Sequence, residues 1–253
     1  MSVATPTTAT GVGLRFTETA MEYPDGTVAL SGVDLTVEPG QFISVVGPSG
    51  CGKSTLLRLA SRLEEHTAGE VAVDPSALAY VFQDATLLPW RSVRKNVGLF
   101  CELRGDGKAD TARRVQEAID LVGLTGFEDH FPHQLSGGMR MRVSVARCLT
   151  VDPGVFLFDE PFGALDEISR QKLNDDLQAL FHDRKFAALF VTHSIAEAVY
   201  LSTEVVVMSG RPGKILDRVP IPFAYPRDPQ IRYSEEFAHL CARISTSLAG
   251  KEH

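Results

Sequence analysis

The run Gly47-Pro48-Ser49-Gly50-Cys51-Gly52-Lys53-Ser54-Thr55 fits G-x-x-x-x-G-K-[ST], the pattern of a loop that cradles phosphates. Its residue types suit that task. Glycines let the backbone turn tightly and aim successive N–H groups into one concavity. A helix that starts there adds the positive end of its dipole. Lys53 brings a full positive charge to the β- and γ-phosphates, and the Ser54 hydroxyl offers an oxygen ligand to Mg²⁺. The apolar run Phe42-Ile43-Ser44-Val45-Val46 ahead of the loop reads as a buried strand. Leu56, Leu57, Leu59 and Ala60 behind it fall at helical spacing. The loop therefore joins a strand to a helix, which is the context the pattern needs.

A second constellation lies downstream. Leu135-Ser136-Gly137-Gly138-Met139 opens an apolar-basic run through Leu149, with Ser136 as an N-cap and open N–H groups on the first helical turn. Then comes Val155-Phe156-Leu157-Phe158-Asp159-Glu160, an apolar strand ending in two carboxylates. In this order and spacing the chain resembles the ATP-binding cassette (ABC) ATPases, whose signature sequence precedes the Walker B strand in the same way. Other elements of that resemblance follow in order. Gln83 matches the Q-loop, Gly163-Ala164-Leu165-Asp166 the D-loop and His193 the switch histidine. Tyr23 stands where the family stacks an aromatic ring on adenine; the alternative is a turn aromatic packing on a sheet edge. The resemblance covers roughly residues 12 to 215 and the tail.

The resemblance implies ATP as substrate, Mg²⁺ as cofactor and a division of labour. Phosphoryl transfer to water is mostly positioning and charge stabilisation. Lys53 and the loop amides hold the phosphates. Ser54, Gln83 and Asp159 surround the Mg²⁺, Asp159 through a bound water. Neighbouring strand residues face opposite ways, which frees Glu160 to polarise the attacking water. His193 is expected to bond the γ-phosphate and hold Glu160 and the water; its alternative is a buried histidine satisfied by backbone groups. In the family, two subunits face head to tail. Each ATP then lies between the phosphate loop of one and Ser136 and Gly138 of the other, so a closed two-fold dimer is implied, with Asp166 at its interface.

The run from Gln83 to Val97, with LSGGMR, FDEPFGALDE and VMSGRPGKI, is similar to the nitrate/sulfonate/taurine-type importer ATPases. There the segment Gln83 to Arg91 docks the transmembrane permease subunits, and a solute-binding protein acts indirectly through them. Trp90 falls at that docking position, with ordinary core packing as its alternative. Two positions depart from the superfamily's common pattern. Met139 replaces Gln, as suits this importer branch, and Met141 stands where the branch usually has Gln. A thioether cannot make an amide's hydrogen bonds, which bears on contacts across the dimer.

The elements that must position these groups suggest an α/β fold. We expect a P-loop ABC nucleotide-binding domain with a β-rich N-terminal part, a mostly parallel core sheet and an inserted helical subdomain at about residues 84–149. Short strands fill residues 13–46, with helices over Ser54 to Leu63, Val93 to Leu103, Asp110 to Val122, Leu173 to Phe181 and Ile195 to Leu201. The domain is expected at 12–216, after a disordered lead-in at 1–11 and before a Pro-marked linker and helix at 217–253. With 253 residues, 44% of them hydrophobic, the chain can build one large core. No run approaches the about 18 apolar residues that span a bilayer. A net charge of −7 argues against a nucleic-acid partner. Cys51, Cys101, Cys148 and Cys241 have no pairing or metal spacing and read as free thiols, with Cys51 open to alkylation beside the nucleotide. The reading is an importer's energy-coupling subunit, peripheral at the cytoplasmic face of the membrane. The alternative is a soluble ABC ATPase acting on nucleic acid or ribosomes.

Overall fold

The computed structural model describes residues 13–74 and 78–250. The expected lead-in at 1–11 lies outside the described residues. Three antiparallel strands form one sheet: β1 (Leu14–Glu22) in the centre, flanked by β2 (Val28–Val37) and β4 (Ala68–Val73). A second sheet has the order β5-β6-β7-β3-β8-β9. Its members are β3 (Phe42–Val46), β5 (Leu78–Val81), β6 (Val155–Asp159), β7 (Ala187–Val191), β8 (Glu204–Met208) and β9 (Ile215–Pro220). All its pairings are parallel except β8 with β9.

The near-continuous apolar runs of β3, β6 and β7 are those of strands covered on both faces. Alternate residues enter different cores. Ile43, Val45, Val155, Leu157, Leu189 and Val191 pack with the antiparallel sheet and α1 (Lys53–Ala60). Phe156, Phe158, Ala188 and Phe190 face the other way, into a core shared with most of the helices. The sheet is therefore a septum between two apolar layers, and the loops at the carboxyl ends of its parallel strands lie together at one edge.

The helical insertion contains α2 (Val93–Val97), α3 (Leu99–Arg104), α4 (Lys108–Leu121) and α5 (Gly137–Leu149). The expected single helix from Val93 to Leu103 is divided at Gly98. A Cβ there would come within 3.3 Å of both the Arg94 carbonyl oxygen and Val115 Cγ2, so α2 turns into α3 where the backbone passes close to α4. The helix expected from Leu173 is longer, α6 (Glu167–Arg184), because Asp166 caps it and its first turns are polar. The helix α7 (Ile195–Leu201) follows His193.

The C-terminal segment is no free-standing linker. Residue 217 falls inside β9, which pairs with β8. Arg227 is 3% exposed and donates to the carbonyls of Val199, Tyr200 and Ser202 at the end of α7. The last helix, α8 (Glu235–Ala249), buries Phe237 and Ile244 in the larger core. Proline spacing reads as a linker, but a buried guanidinium satisfied by backbone oxygens ties this segment to the body.

Candidate active site

The phosphate-type loop runs from the end of β3 to the first turn of α1. Gly52 has φ +100°, and a Cβ on it would meet Leu30 Cδ2 at 2.7 Å and the Ala29 carbonyl oxygen at 2.8 Å. At Gly47 a Cβ would meet Cys51 Sγ at 2.8 Å. Both ends of the loop thus require glycine, one for conformation and space, the other for space. Pro48, Ser49 and Gly50 form the loop's tip, where Arg211 donates to the Gly50 carbonyl at 3.1 Å. Lys53 is 6% exposed, and its Nζ donates to the carbonyls of Gly47 and Pro48, each at 2.9 Å.

Ser54 Oγ donates to Asp159 Oδ1 at 2.9 Å. The other carboxylate oxygen accepts from Tyr80 Oη, also at 2.9 Å. Burial and the facing Asp159 carboxylate push the Tyr80 phenol pKa upward, so the hydroxyl stays a donor. Glu160 has φ +46°, and its N–H is held by the Val191 carbonyl at 2.9 Å. Its Oε2 lies 3.3 Å from His193 Nδ1. The histidine side chain is more than half exposed, against the buried alternative. A Cβ on Gly163 would sit 3.6 Å from His193 Cε1 and 3.8 Å from Gln83 Nε2, so these side chains converge around the bare face of that glycine.

Tyr23 lies in the turn between β1 and β2, half buried beside the smaller core. Its hydroxyl donates to Glu64 Oε2 at 3.0 Å and is 3.3 Å from Thr55 Oγ1. Ser136 stands on another element, at the start of α5. It caps α5, accepting from the Met139 N–H at 3.2 Å, with Gly137 and Gly138 forming the first turn. Asp166 caps α6 through Ser169, and those hydrogen bonds hold its carboxyl below the usual range. Trp90 is 71% exposed, which excludes core packing. The loop beneath it is held by buried Asn96, bonded to Leu88 and Arg91 backbone, and by Arg147, bonded to the Ala85 and Thr86 carbonyls.

A model of the ABC transporter family matches residues 30–163. The chain belongs to this family. An uncharacterized ABC transporter ATP-binding protein of Methanocaldococcus jannaschii is 46% identical over 227 residues, 87% of this chain and 84% of that protein. The aliphatic sulfonates import ATP-binding protein SsuB 1 of Pseudomonas syringae pv. syringae is 43% identical over 223 residues, 88% of this chain and 91% of that one. Among solved structures, a dimeric bacterial ABC transporter cassette superposes with a TM-score of 0.73 at 28% identity, covering 83% of this chain and 100% of that one. This ABC protein has the fold expected of it and is an ATPase by family.

Two sequence expectations about this ABC protein change. Met141 is 4% exposed within the larger core, so its thioether packs inward and leaves no contact across a dimer in question. Cys51 is 1% exposed, and burial raises its thiol pKa, so it is closed to reagents. Native protein treated with a thiol reagent near neutral pH is therefore expected to label at half-buried Cys241. Cys51, Cys101 and Cys148 should label only on unfolding, as peptide mapping by mass spectrometry would show. Rapid labelling of Cys51 in folded protein would contradict this packing.

Tyr80 escaped sequence reasoning. The available signal was parity: in the parallel register Tyr80 pairs with Leu157, two residues before Asp159, and residues two apart share a strand face.

Proposed function

We propose that this chain is the ATP-hydrolysing, energy-coupling subunit of a small-solute importer, working as a head-to-tail pair at the cytoplasmic face of a membrane. The observation that carries the hydrolytic reading is the convergence of Ser54 on Asp159 at 2.9 Å and of Glu160 on His193 at 3.3 Å, at the mouth of the phosphate loop. Lys53 and the loop amides bind the β- and γ-phosphates. The oxygen set of Ser54, Asp159 and Gln83 suits Mg²⁺, a hard cation that takes oxygen ligands. When bound, Mg²⁺ neutralises charge on the phosphates. Glu160 accepts the proton of the attacking water, and His193 steadies that carboxylate and reaches the γ-phosphate. Tyr23 packs against the adenine from the turn after β1.

The importer reading is supported by relatives named as aliphatic sulfonates import proteins, which points to a small sulfonate-like solute. The permease docks on the segment from Gln83 to Arg91, where Trp90 stands exposed on a braced loop. A solute-binding protein acts through the permease. No helix among the described residues is long and apolar enough to cross a membrane, in keeping with a peripheral subunit.

Lys53→Ala tests the reading most directly. Deleting a charge that meets the phosphates is expected to weaken ATP binding about 100-fold, from the loss of charge-assisted bonds worth about 3 kcal/mol. Equilibrium binding of a fluorescent ATP analogue measures this. Unchanged affinity and turnover would remove the phosphate-loop assignment.

A further inference from the structure

Two buried polar atoms face each other across a gap between the loop Gly163-Ala164-Leu165-Asp166 and the switch histidine. Arg170, in the first turn of α6, donates from Nη2 to the Leu165 carbonyl at 2.9 Å. Its Nε points at Glu197 Oε1, 3.7 Å away. Both atoms are buried and neither has a hydrogen-bond partner. The distance exceeds the about 2.9 Å of a charge-assisted bond by less than an ångström. Buried donors and acceptors are nearly always paired, so such an orphan couple marks a contact one small movement from forming.

The far side of Glu197 reaches the histidine. Its Oε2 accepts from Thr192 Oγ1 at 2.5 Å, and the Ser194 N–H donates to the same hydroxyl at 3.0 Å. Thr192 and Ser194 bracket His193 in the chain. Glu197 is 6% exposed and Thr192 2%, so this linkage is shielded from water. A cleft of about 220 Å³ beside Arg170, Asn174 and Glu197 leaves the first turn of α6 room to shift against α7.

We propose that Arg170 and Glu197 are a positioning pair, through which displacement of the loop ending at Asp166 sets the orientation of His193. A second copy of this chain pressing on that loop would move the Leu165 carbonyl, draw Arg170 onto Glu197 and fix the Thr192–Ser194 turn around the histidine. Neither residue is among those proposed above to bind the nucleotide. The device rests on the proposed role of His193 at the γ-phosphate, and His193→Ala in the same assay tests that role alone.

The experiment measures ATP turnover and, separately, ATP-analogue binding and melting temperature for single and double variants. Glu197→Gln keeps an acceptor for Thr192 but removes the charge that attracts Arg170. Arg170→Lys cannot bond the Leu165 carbonyl and reach Glu197 together. Each is expected to lower kcat about tenfold with nucleotide affinity unchanged, and the double variant should be no worse than either single one. Thr192→Val should reproduce the loss, while Thr192→Ser, which keeps the hydroxyl, should restore turnover. Independent effects that multiply in the double variant would overturn the pairing. So would losses that follow melting temperature or nucleotide affinity rather than kcat. If His193→Ala turns over normally, the role of the histidine fails and the device falls with it; if His193→Ala is inactive while the variants of the pair turn over normally, the device alone fails.

Discussion

Replacing Glu160 by Gln is expected to cut ATP turnover by about 10³-fold, within the range general-base groups contribute, while leaving ATP affinity intact. The amide has the carboxylate's shape but no basic oxygen. The backbone supports a clean comparison: Glu160 is held at φ +46° by a bond from its N–H to the Val191 carbonyl, which the substitution does not touch. Its neighbour His193, 3.3 Å from Oε2, can bond an amide oxygen as well as a carboxylate. The variant should therefore load ATP, close and stay closed. Light scattering should show an ATP-dependent dimer that persists where the wild type returns to monomer. Turnover within a few-fold of wild type would assign the base elsewhere.

Ser136→Arg should reduce hydrolysis to background while the isolated subunit binds ATP as before. Ser136 bonds the first turn of its own helix, and its expected role, implied by the family resemblance, lies across a dimer. Losing the cap costs about 1 kcal/mol, small against the about 5–15 kcal/mol that stabilises a domain. The fold should survive, and a melting curve checks that it does. A bulky cation at an otherwise open helix start blocks close approach of a partner's phosphates. Mixing this variant with Lys53→Ala gives heterodimers in which one composite site keeps both groups and the other loses both. Normal hydrolysis by Ser136→Arg in the assembled transporter would end the composite-site reading.

The parts of the site that lie within one short stretch of chain were legible in the sequence. Lys53 and Ser54 follow from the loop pattern, and Asp159 and Glu160 from an apolar run ending in two acids. Strand positions were readable for the same reason, since β3, β6 and β7 are apolar in nearly every position. What escaped depends on which strands become neighbours. Tyr80 finds Asp159 because β5 pairs with β6 in one register among several. Arg211 reaches the Gly50 carbonyl across 161 positions of chain. Charged residues are hard to read for another reason. By type Arg227 and Glu197 belong at the surface, yet both are buried: Arg227 against the carbonyls of Val199, Tyr200 and Ser202, and Glu197 against Thr192 with no hydrogen bond to its other oxygen. At Met141 the resemblance put contacts across the dimer in question, whereas the helix periodicity turns this side chain into the core.

The grip of Arg227 on the end of α7 limits where this gene can be cut. The matched family region ends at residue 163, and a cloning boundary chosen by motif would fall soon after the switch histidine. Any fragment ending before residue 227 would leave the carbonyls of Val199, Tyr200 and Ser202 without their donor. It would also strip Phe237 and Ile244 from the core and expose the apolar residues they cover. Such a truncation should express as insoluble material. Partner domains or affinity tags belong after α8, so that Phe237 and Ile244 stay in the larger core.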